Sequence, residues 1–280
     1  MSEVEHGSYI TIGTFDGVHK GHQQLISTVI KEGKKENFPA IVITFDPLPK
    51  VFFDNAEPQF VRLTSSCTRA ERVALLGADI LIEYTFDQSF SKISADDFIS
   101  KILMNLNPQK IFIGKDFKFG YKGLGDFAFL KQAGTKFGFE TERLEFINLD
   151  SERISSTRVR NAVRHGDIEL VTKLMGKQHE VSGRIIRMMN GIKVFLMPDR
   201  DIILPPAGEY KVSIGSHNNK YFTKARILDT NKFIEVTLEE GMNHHFFKEN
   251  VILQFLEPVT AIKKEKTRLK EHKGLRSILN

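Results

Sequence analysis

With 280 residues, 41% of them hydrophobic and 27% charged, the chain is long enough for one large or two medium domains with a buried core. It has no apolar run near the ~18 residues of a membrane span, a polar start unlike a leader peptide, and one cysteine, Cys67, too few for an internal disulfide or a cysteine-ligated structural zinc; a cytoplasmic protein is expected. The net charge of +5 resides in residues 263–280, where seven Lys or Arg face two Glu, so the neutral remainder excludes a basic body built to grip nucleic acid and the tail reads as a solvated end.

Apolar or β-branched runs then alternate with helical patterns. Tyr9–Gly13 predicts a strand, and Leu25/Val29 with Ile26/Ile30, spaced i, i+4, mark the buried face of a helix after Gly21. Ala40–Phe45 is a second strand. A helix over Thr68–Leu76 closes on Gly77 as a left-handed cap, and Asp79–Glu83 returns to strand. Ser94 is placed to cap a helix over Ala95–Leu106, with Asp96 and Asp97 in its electropositive first turn. Lys110–Ile113, a helix over Gly125–Lys136 and Thr141–Ile147 complete the alternation. Such spacing argues an α/β fold: a parallel sheet with right-handed crossovers, helices on both faces, and ligands beyond the carboxyl ends of its strands.

From Val181 the pattern changes. Val181–Met188, Ile192–Met197, Tyr210–Gly215, Phe222–Leu228, Phe233–Leu238 and Val251–Phe255 are short strands, broken by Asn190-Gly191, Pro205-Pro206 and His217-Asn218-Asn219. Asn-Gly between β-runs signals a hairpin, and regular strands without helices predict a small antiparallel β-barrel. The joint falls near Met175–His179, where Gly176 ends a helix. The expected divisions are 1–177, 178–262 and a basic tail, 263–280.

Two constellations carry chemistry. In the first, Ile12 leads into Gly13-Thr14-Phe15-Asp16-Gly17-Val18-His19-Lys20-Gly21-His22. A strand runs into a glycine-punctuated turn, and two histidines straddle a glycine where a helix begins. Glycines let backbone approach a phosphate, and a helix N-terminus presents free N–H groups to it. The histidines can donate to phosphate oxygens. Capping is the alternative use; metal ligation is disfavoured because the His-Glu-x-x-His signature is absent, and no metal ligands are expected. The pair His244-His245 reads as solvated.

The second constellation, Ile154-Ser155-Ser156-Thr157-Arg158-Val159-Arg160, opens a helix directly after the fifth strand. Helix capping explains the hydroxyls alone. With Arg160 one turn beyond Thr157, however, hydroxyls, free N–H groups and a guanidinium line up as a polyphosphate cradle. Both constellations follow strands of one sheet, which is the case for a nucleotide-phosphate site.

These two blocks resemble the bacterial bifunctional riboflavin kinase/FAD synthetase family. The resemblance runs from Tyr9 to about Gly176 through Thr44-Phe45-Asp46-Pro47, Phe98-Ile99 and Gly114-Lys115-Asp116-Phe117-Lys118-Phe119-Gly120. It implies a Rossmann-like nucleotidyltransferase domain, followed by the barrel, that transfers AMP from ATP to FMN to give FAD and pyrophosphate, with Mg²⁺ carried by ATP. His19, His22 and Arg160 are then the catalytic candidates. Gly13, Thr14, Phe15, Asp16, Gly17, Ser155, Ser156 and Thr157 are expected to bind ATP. Asp46, Pro47, Asp116, Phe117 and Phe119 are expected on the flavin side. Leu48 stands where the family usually has histidine.

The barrel resembles the family's riboflavin kinase less closely. Leu204-Pro205-Pro206-Ala207-Gly208-Glu209-Tyr210 matches an architectural turn, and Glu235 matches the proposed base, but Pro-Thr-Ala-Asn appears nowhere in the chain. Without the Thr and Asn that anchor Mg²⁺–ATP, a base alone does not run phosphoryl transfer, so adenylylation without riboflavin phosphorylation is expected. The alternatives are a His-x-Gly-His nucleotidyltransferase with another phosphate acceptor, and a flavin-sensing regulator whose barrel and tail contact RNA or protein.

Overall fold

The computed structural model describes residues 4, 6–53, 61–145, 147–189, 193–199, 201–215, 220–228, 233–238 and 250–259. Strand β1 (Ser8–Ile12) passes through a short turn into α1 (Lys20–Glu36); β2 (Ala40–Asp46) is followed by α2 (Pro49–Phe53) and α3 (Ser66–Leu76), and then by β3 (Ile80–Thr85). Helix α4 (Ala95–Phe98), β4 (Pro108–Gly114), α5 (Phe127–Phe137) and β5 (Glu140–Leu144) complete a five-stranded parallel sheet of order β3-β2-β1-β4-β5. The sheet is apolar on both sides. Tyr9, Val42 and Phe112 pack with Ile26 and Val29 of α1 and Val73 of α3, whereas Ile10, Ile41 and Ile111 pack with Phe98, Ile99 and Leu130 on the other face. Alternate residues of each strand thus serve opposite helix layers, which is why these strands read as unbroken apolar runs.

The predicted elements shift at their ends for identifiable reasons. Ser65, not Thr68, opens α3 by accepting from the Thr68 N–H. Asp126 caps α5 by accepting from the Phe129 N–H, so Gly125 stays outside the helix and pairs with Phe119. The segment expected as one helix over Ala95–Leu106 is α-helical only to Phe98, widens to a π-turn over Ile99–Leu103 and tightens to 3₁₀ over Met104–Leu106. Ile99 and Leu103 remain buried against the sheet throughout. Gly77 is left-handed, as predicted.

A small hairpin, β6 (Asn148–Leu149) and β7 (Glu152–Arg153), precedes α6 (Ser156–Arg164) and α7 (Ile168–Met175), which ends on left-handed Gly176. Strands β8 (His179–Met189), β9 (Lys193–Pro198), β10 (Gly208–Gly215), β11 (Lys220–Ile227), β12 (Ile234–Thr237) and β13 (Asn250–Pro258) then close an antiparallel barrel of order β10-β11-β12-β9-β8-β13. Its alternating inward residues, among them Val212, Ile214, Val236 and Leu253, fill the interior. Asn190-Gly191, His217–Asn219, His244-His245 and the tail 263–280 lie outside the described residues. Among the described residues, no helix is long and apolar enough to cross a membrane.

The barrel is seated on the sheet domain. Ile168 of α7 belongs to the barrel core, while Val171, Leu174 and Met175 pack with Leu63, Val159 and Ile203. Residue 62 forms a parallel bridge with Ile202: the Arg62 N–H donates to the Asp201 carbonyl and the Ile203 N–H to the Arg62 carbonyl.

Helix α5 crosses the loop before β5 so closely that a Cβ on Gly134 would lie 2.3 Å from the Phe139 carbonyl oxygen. An Ala in a helix interior ordinarily gains about 1 kcal/mol over Gly. Gly134→Ala should instead lose about 1–3 kcal/mol through overpacking, a sign that denaturant unfolding will read directly.

Candidate active site

The turn between β1 and α1 is held in an uncommon conformation. Phe15 (φ 44°), Gly17 (φ 81°) and Val18 (φ 46°) are all left-handed, and a β-branched residue there is a clear steric outlier. The surroundings over-determine this shape. The buried Asp16 carboxylate accepts from the N–H groups of Leu63 (3.0 Å) and Thr64 (3.4 Å) and pairs with Arg160, whose Nε donates to the Val61 carbonyl (2.8 Å). Burial pushes the Asp16 carboxyl up, and Arg160 with the two N–H groups opposes that shift. The Gly17 N–H donates to Thr64 Oγ1 at 3.2 Å, and its carbonyl accepts from Arg72 Nη1 at 2.7 Å.

Beyond the turn, His19 caps α1: its Nδ1 accepts from the His22 N–H at 3.3 Å. Nδ1 is therefore the unprotonated nitrogen, and Nε2 carries the proton. The two imidazoles stack with centroids 3.6 Å apart, and Phe15 meets His22 edge-on at 5.2 Å. A Cβ on Gly21 would lie 3.2 Å from the His19 ring, so the glycine between the histidines leaves room for that ring. Burial drives the His19 pKa down to about 4 and holds His22 well below the ordinary histidine value; Arg153 and Arg160 push both further down, as does His19 for His22. Both rings are neutral at pH 7. His22 Nδ1 is buried without a hydrogen-bond partner, a polar atom left for a ligand to satisfy.

Both histidines line a cavity of about 480 Å³ at the carboxyl edge of the sheet, together with Thr14, Gly21, Ser155, Ser156 and Thr157. Asp116, Phe117, Lys118 and Arg153 also line it. Two helix N-termini, of α1 and α6, thus converge on one space, an arrangement that favours anions. Ser155 caps α6 by accepting from the Arg158 N–H (3.2 Å), and Ser156 donates to the Asp16 carbonyl (3.2 Å). Among the described residues no cluster of three or more His, Cys, Asp or Glu is placed to hold a metal ion.

Several expected contacts lie elsewhere. Arg160 is not at the polyphosphate edge: it is 5% exposed and turned inward onto Asp16 and Val61, because the face of α6 that carries it is the face packed against the sheet domain. Its guanidinium holds the frame behind the cavity and does not line the cavity itself. Gly13, Phe15, Asp16 and Gly17 form the frame behind the cavity and do not line it. Asp46, at a cis Asp46-Pro47 bond, pairs with Arg62 (2.5 Å), and Leu48 is buried. Phe119 stacks on Phe117 with centroids 5.6 Å apart and faces a second, aromatic cavity of about 180 Å³ with Phe45, Phe53, Phe86, Phe90 and Phe98. Lys118 touches both cavities. Arg153, paired with Asp116, is a lining residue that the motifs did not single out, as are Gln24 and Glu145. Its signal was faint, an arginine three residues before Ser156 on a hairpin visible only in the fold.

Removing Arg160 strands a buried carboxylate. Arg160→Ala should cost about 3–5 kcal/mol of stability, and Arg160→Lys, which lacks the fork that reaches Asp16 and Val61 together, should recover only part of it. Chemical denaturation of the two variants tests both statements.

Residues 1–158 match the model of the FAD synthetase family. The chain is 34% identical over 229 residues to a bifunctional riboflavin kinase/FMN adenylyltransferase of Buchnera aphidicola (subsp. Acyrthosiphon pisum), covering 79% of this chain and 72% of that one. The enzyme of the same name from Haemophilus influenzae is 32% identical and covers 91% and 85% of the two chains; that of Escherichia coli K12 is 33% identical over 75% and 69%. A crystal structure titled as a macrolide-efflux protein from Streptococcus pneumoniae superposes with a TM-score of 0.81 at 24% identity, covering 94% of this chain and 88% of that one, and shares the fold. The chain belongs to the FAD synthetase family.

Proposed function

We propose that ATP and FMN meet in the cavity at the carboxyl edge of the sheet, where the stacked, neutral His19–His22 pair receives the phosphate that is transferred. The chain is an FMN adenylyltransferase: a phosphate oxygen of FMN bonds to the α-phosphorus of ATP, the bond from that phosphorus to the bridging oxygen breaks, and pyrophosphate leaves with its electron pair. In-line displacement of this kind needs positioning and charge stabilisation more than covalent chemistry. The Nε2–H of His19 is a fixed donor, and His22 Nδ1 is a buried polar atom with no partner of its own. Because both rings are neutral, they act on developing charge as hydrogen-bonding dipoles and carry no net charge. Ser156, Thr157 and the first N–H groups of α6 hold the leaving phosphates, with Arg153 in the same lining. Mg²⁺ enters as Mg–ATP, ligated by phosphate oxygens.

The flavin side is assigned to Phe117 and Phe119, with Asp46 and Pro47 shaping the end of β2 where the aromatic cavity begins. Flat π-faces there suit an isoalloxazine ring, and Asp116 stands between the ring and phosphate ends. The observation that carries the reading is the neutral histidine pair lining one cavity with the N-terminus of α6. His22→Ala should lower the rate of FAD formation ~10²–10³-fold with little loss of stability. A folded His22→Ala protein that turns over at the wild-type rate excludes the assignment.

The barrel is proposed to lack riboflavin kinase activity. Glu235, the residue matching the family's base, is engaged by Lys193 Nζ at 2.8 Å across β12 and β9, and Pro-Thr-Ala-Asn is missing from the sequence. Given riboflavin with excess Mg–ATP, the protein should form neither FMN nor FAD; given FMN, it should form FAD. Chromatography of the products decides, and FMN accumulating from riboflavin would restore the kinase.

A further inference from the structure

We infer that the barrel is a positioning device for the adenylylation site, acting on the Phe15–Val18 turn through Glu180 and Arg72 and through the bridge between residue 62 and Ile202. The inference rests on the reading of His19 and His22 given above.

Two separate connections run from the barrel to this turn. In the first, Glu180 on β8 accepts from Arg72 Nη2 at 2.7 Å on one oxygen and from Gln254 Nε2 of β13 at 3.1 Å on the other. Arg72 then uses Nη1 to donate to the Gly17 carbonyl at 2.7 Å. The arginine side chain is 3% exposed and that of Glu180 is 15% exposed, so the ion pair is shielded from the screening that weakens surface pairs. The carboxylate neutralises an arginine whose other function is to hold a strained peptide, and it is supplied wholly by the barrel.

In the second connection, the Asp201 carbonyl and the Ile203 N–H clamp residue 62 in a parallel bridge. The next two residues, Leu63 and Thr64, donate their N–H groups to Asp16, and Thr64 Oγ1 accepts from the Gly17 N–H. The same Arg62 reaches Asp46 at the end of β2. Barrel backbone therefore sets the height of the segment on which Asp16 and Gly17 hang.

The turn needs such support. A phenylalanine and a valine at positive φ persist only where the surroundings outweigh their local preference. His19 follows directly, and its ring position against His22 depends on where Val18 ends. A small release of Gly17 displaces the histidines from the transferred phosphate without removing any group that binds ATP or FMN. The signature is a fall in kcat with KM retained.

The test measures steady-state FAD formation by the full chain from FMN and Mg–ATP. Glu180→Ala should lower kcat about tenfold, within the loss that a misplacement of an ångström or less produces, with both KM values within about twofold of wild type. Glu180→Gln keeps an acceptor oxygen for Arg72 and should recover most of that rate. Arg72→Lys combined with Glu180→Ala should do no worse than the poorer single variant, because both interrupt one relay. Wild-type kcat in folded Glu180→Ala protein, or losses that multiply in the double variant, overturns the inference. His22→Ala assayed alongside separates two failures. If it has lost its rate while Glu180→Ala has not, the histidine site stands and the barrel's hold on it falls; if both keep their rates, the histidine reading has failed and this inference with it.

Discussion

Asp16 and Arg160 form the ion pair around which the site is built, with side chains only 2% and 7% exposed. Neither charge is tolerable alone at that depth, since desolvation costs several kcal/mol per ion and is offset only by close pairing and further hydrogen bonds. The additional donors come from Leu63 and Thr64, and the additional acceptor is the Val61 carbonyl. One carboxylate thereby ties together the turn after β1, the segment before α3 and the first turns of α6. Ser156 adds a hydrogen bond to the Asp16 backbone, so the two helix N-termini that face the cavity are fixed relative to each other.

That fixed frame holds two histidines at the cavity without charge. Burial removes the proton that each would otherwise share near neutral pH. Stacking at 3.6 Å would be costly for two imidazolium rings and is compatible with two neutral ones. The cap from His19 Nδ1 to the His22 N–H then selects the tautomer. The cavity lining also holds Arg153 and Lys118, paired with Asp116 and Asp126.

The barrel contributes through backbone and one carboxylate. Its core is closed and filled from within, and its contact with the sheet domain consists of an apolar layer around α7, a parallel bridge at Ile202 and the Glu180–Arg72 pair.

The amino-acid sequence by itself determined the alternation that makes the parallel sheet, the antiparallel barrel after Val181, and the two phosphate-directed blocks. These are local properties: apolar period, glycine at turns, hydroxyls at helix starts. His19, His22, Ser156 and Thr157 were legible because their chemistry and spacing are written in contiguous residues. The direction in which Arg160 points was not. On α6 it is one turn from Thr157, but which face of that helix is buried depends on packing against residues nearly a hundred positions away. Arg153, Arg72 and Glu180 were hidden for the same reason, each a charged residue in an unremarkable local context whose partner comes from another element. The π-turn at Ile99–Leu103 escaped because the i, i+4 pattern does not record an added residue. Only the tertiary structure decides which charges are desolvated together, and desolvation is what turns an ordinary arginine into a structural one.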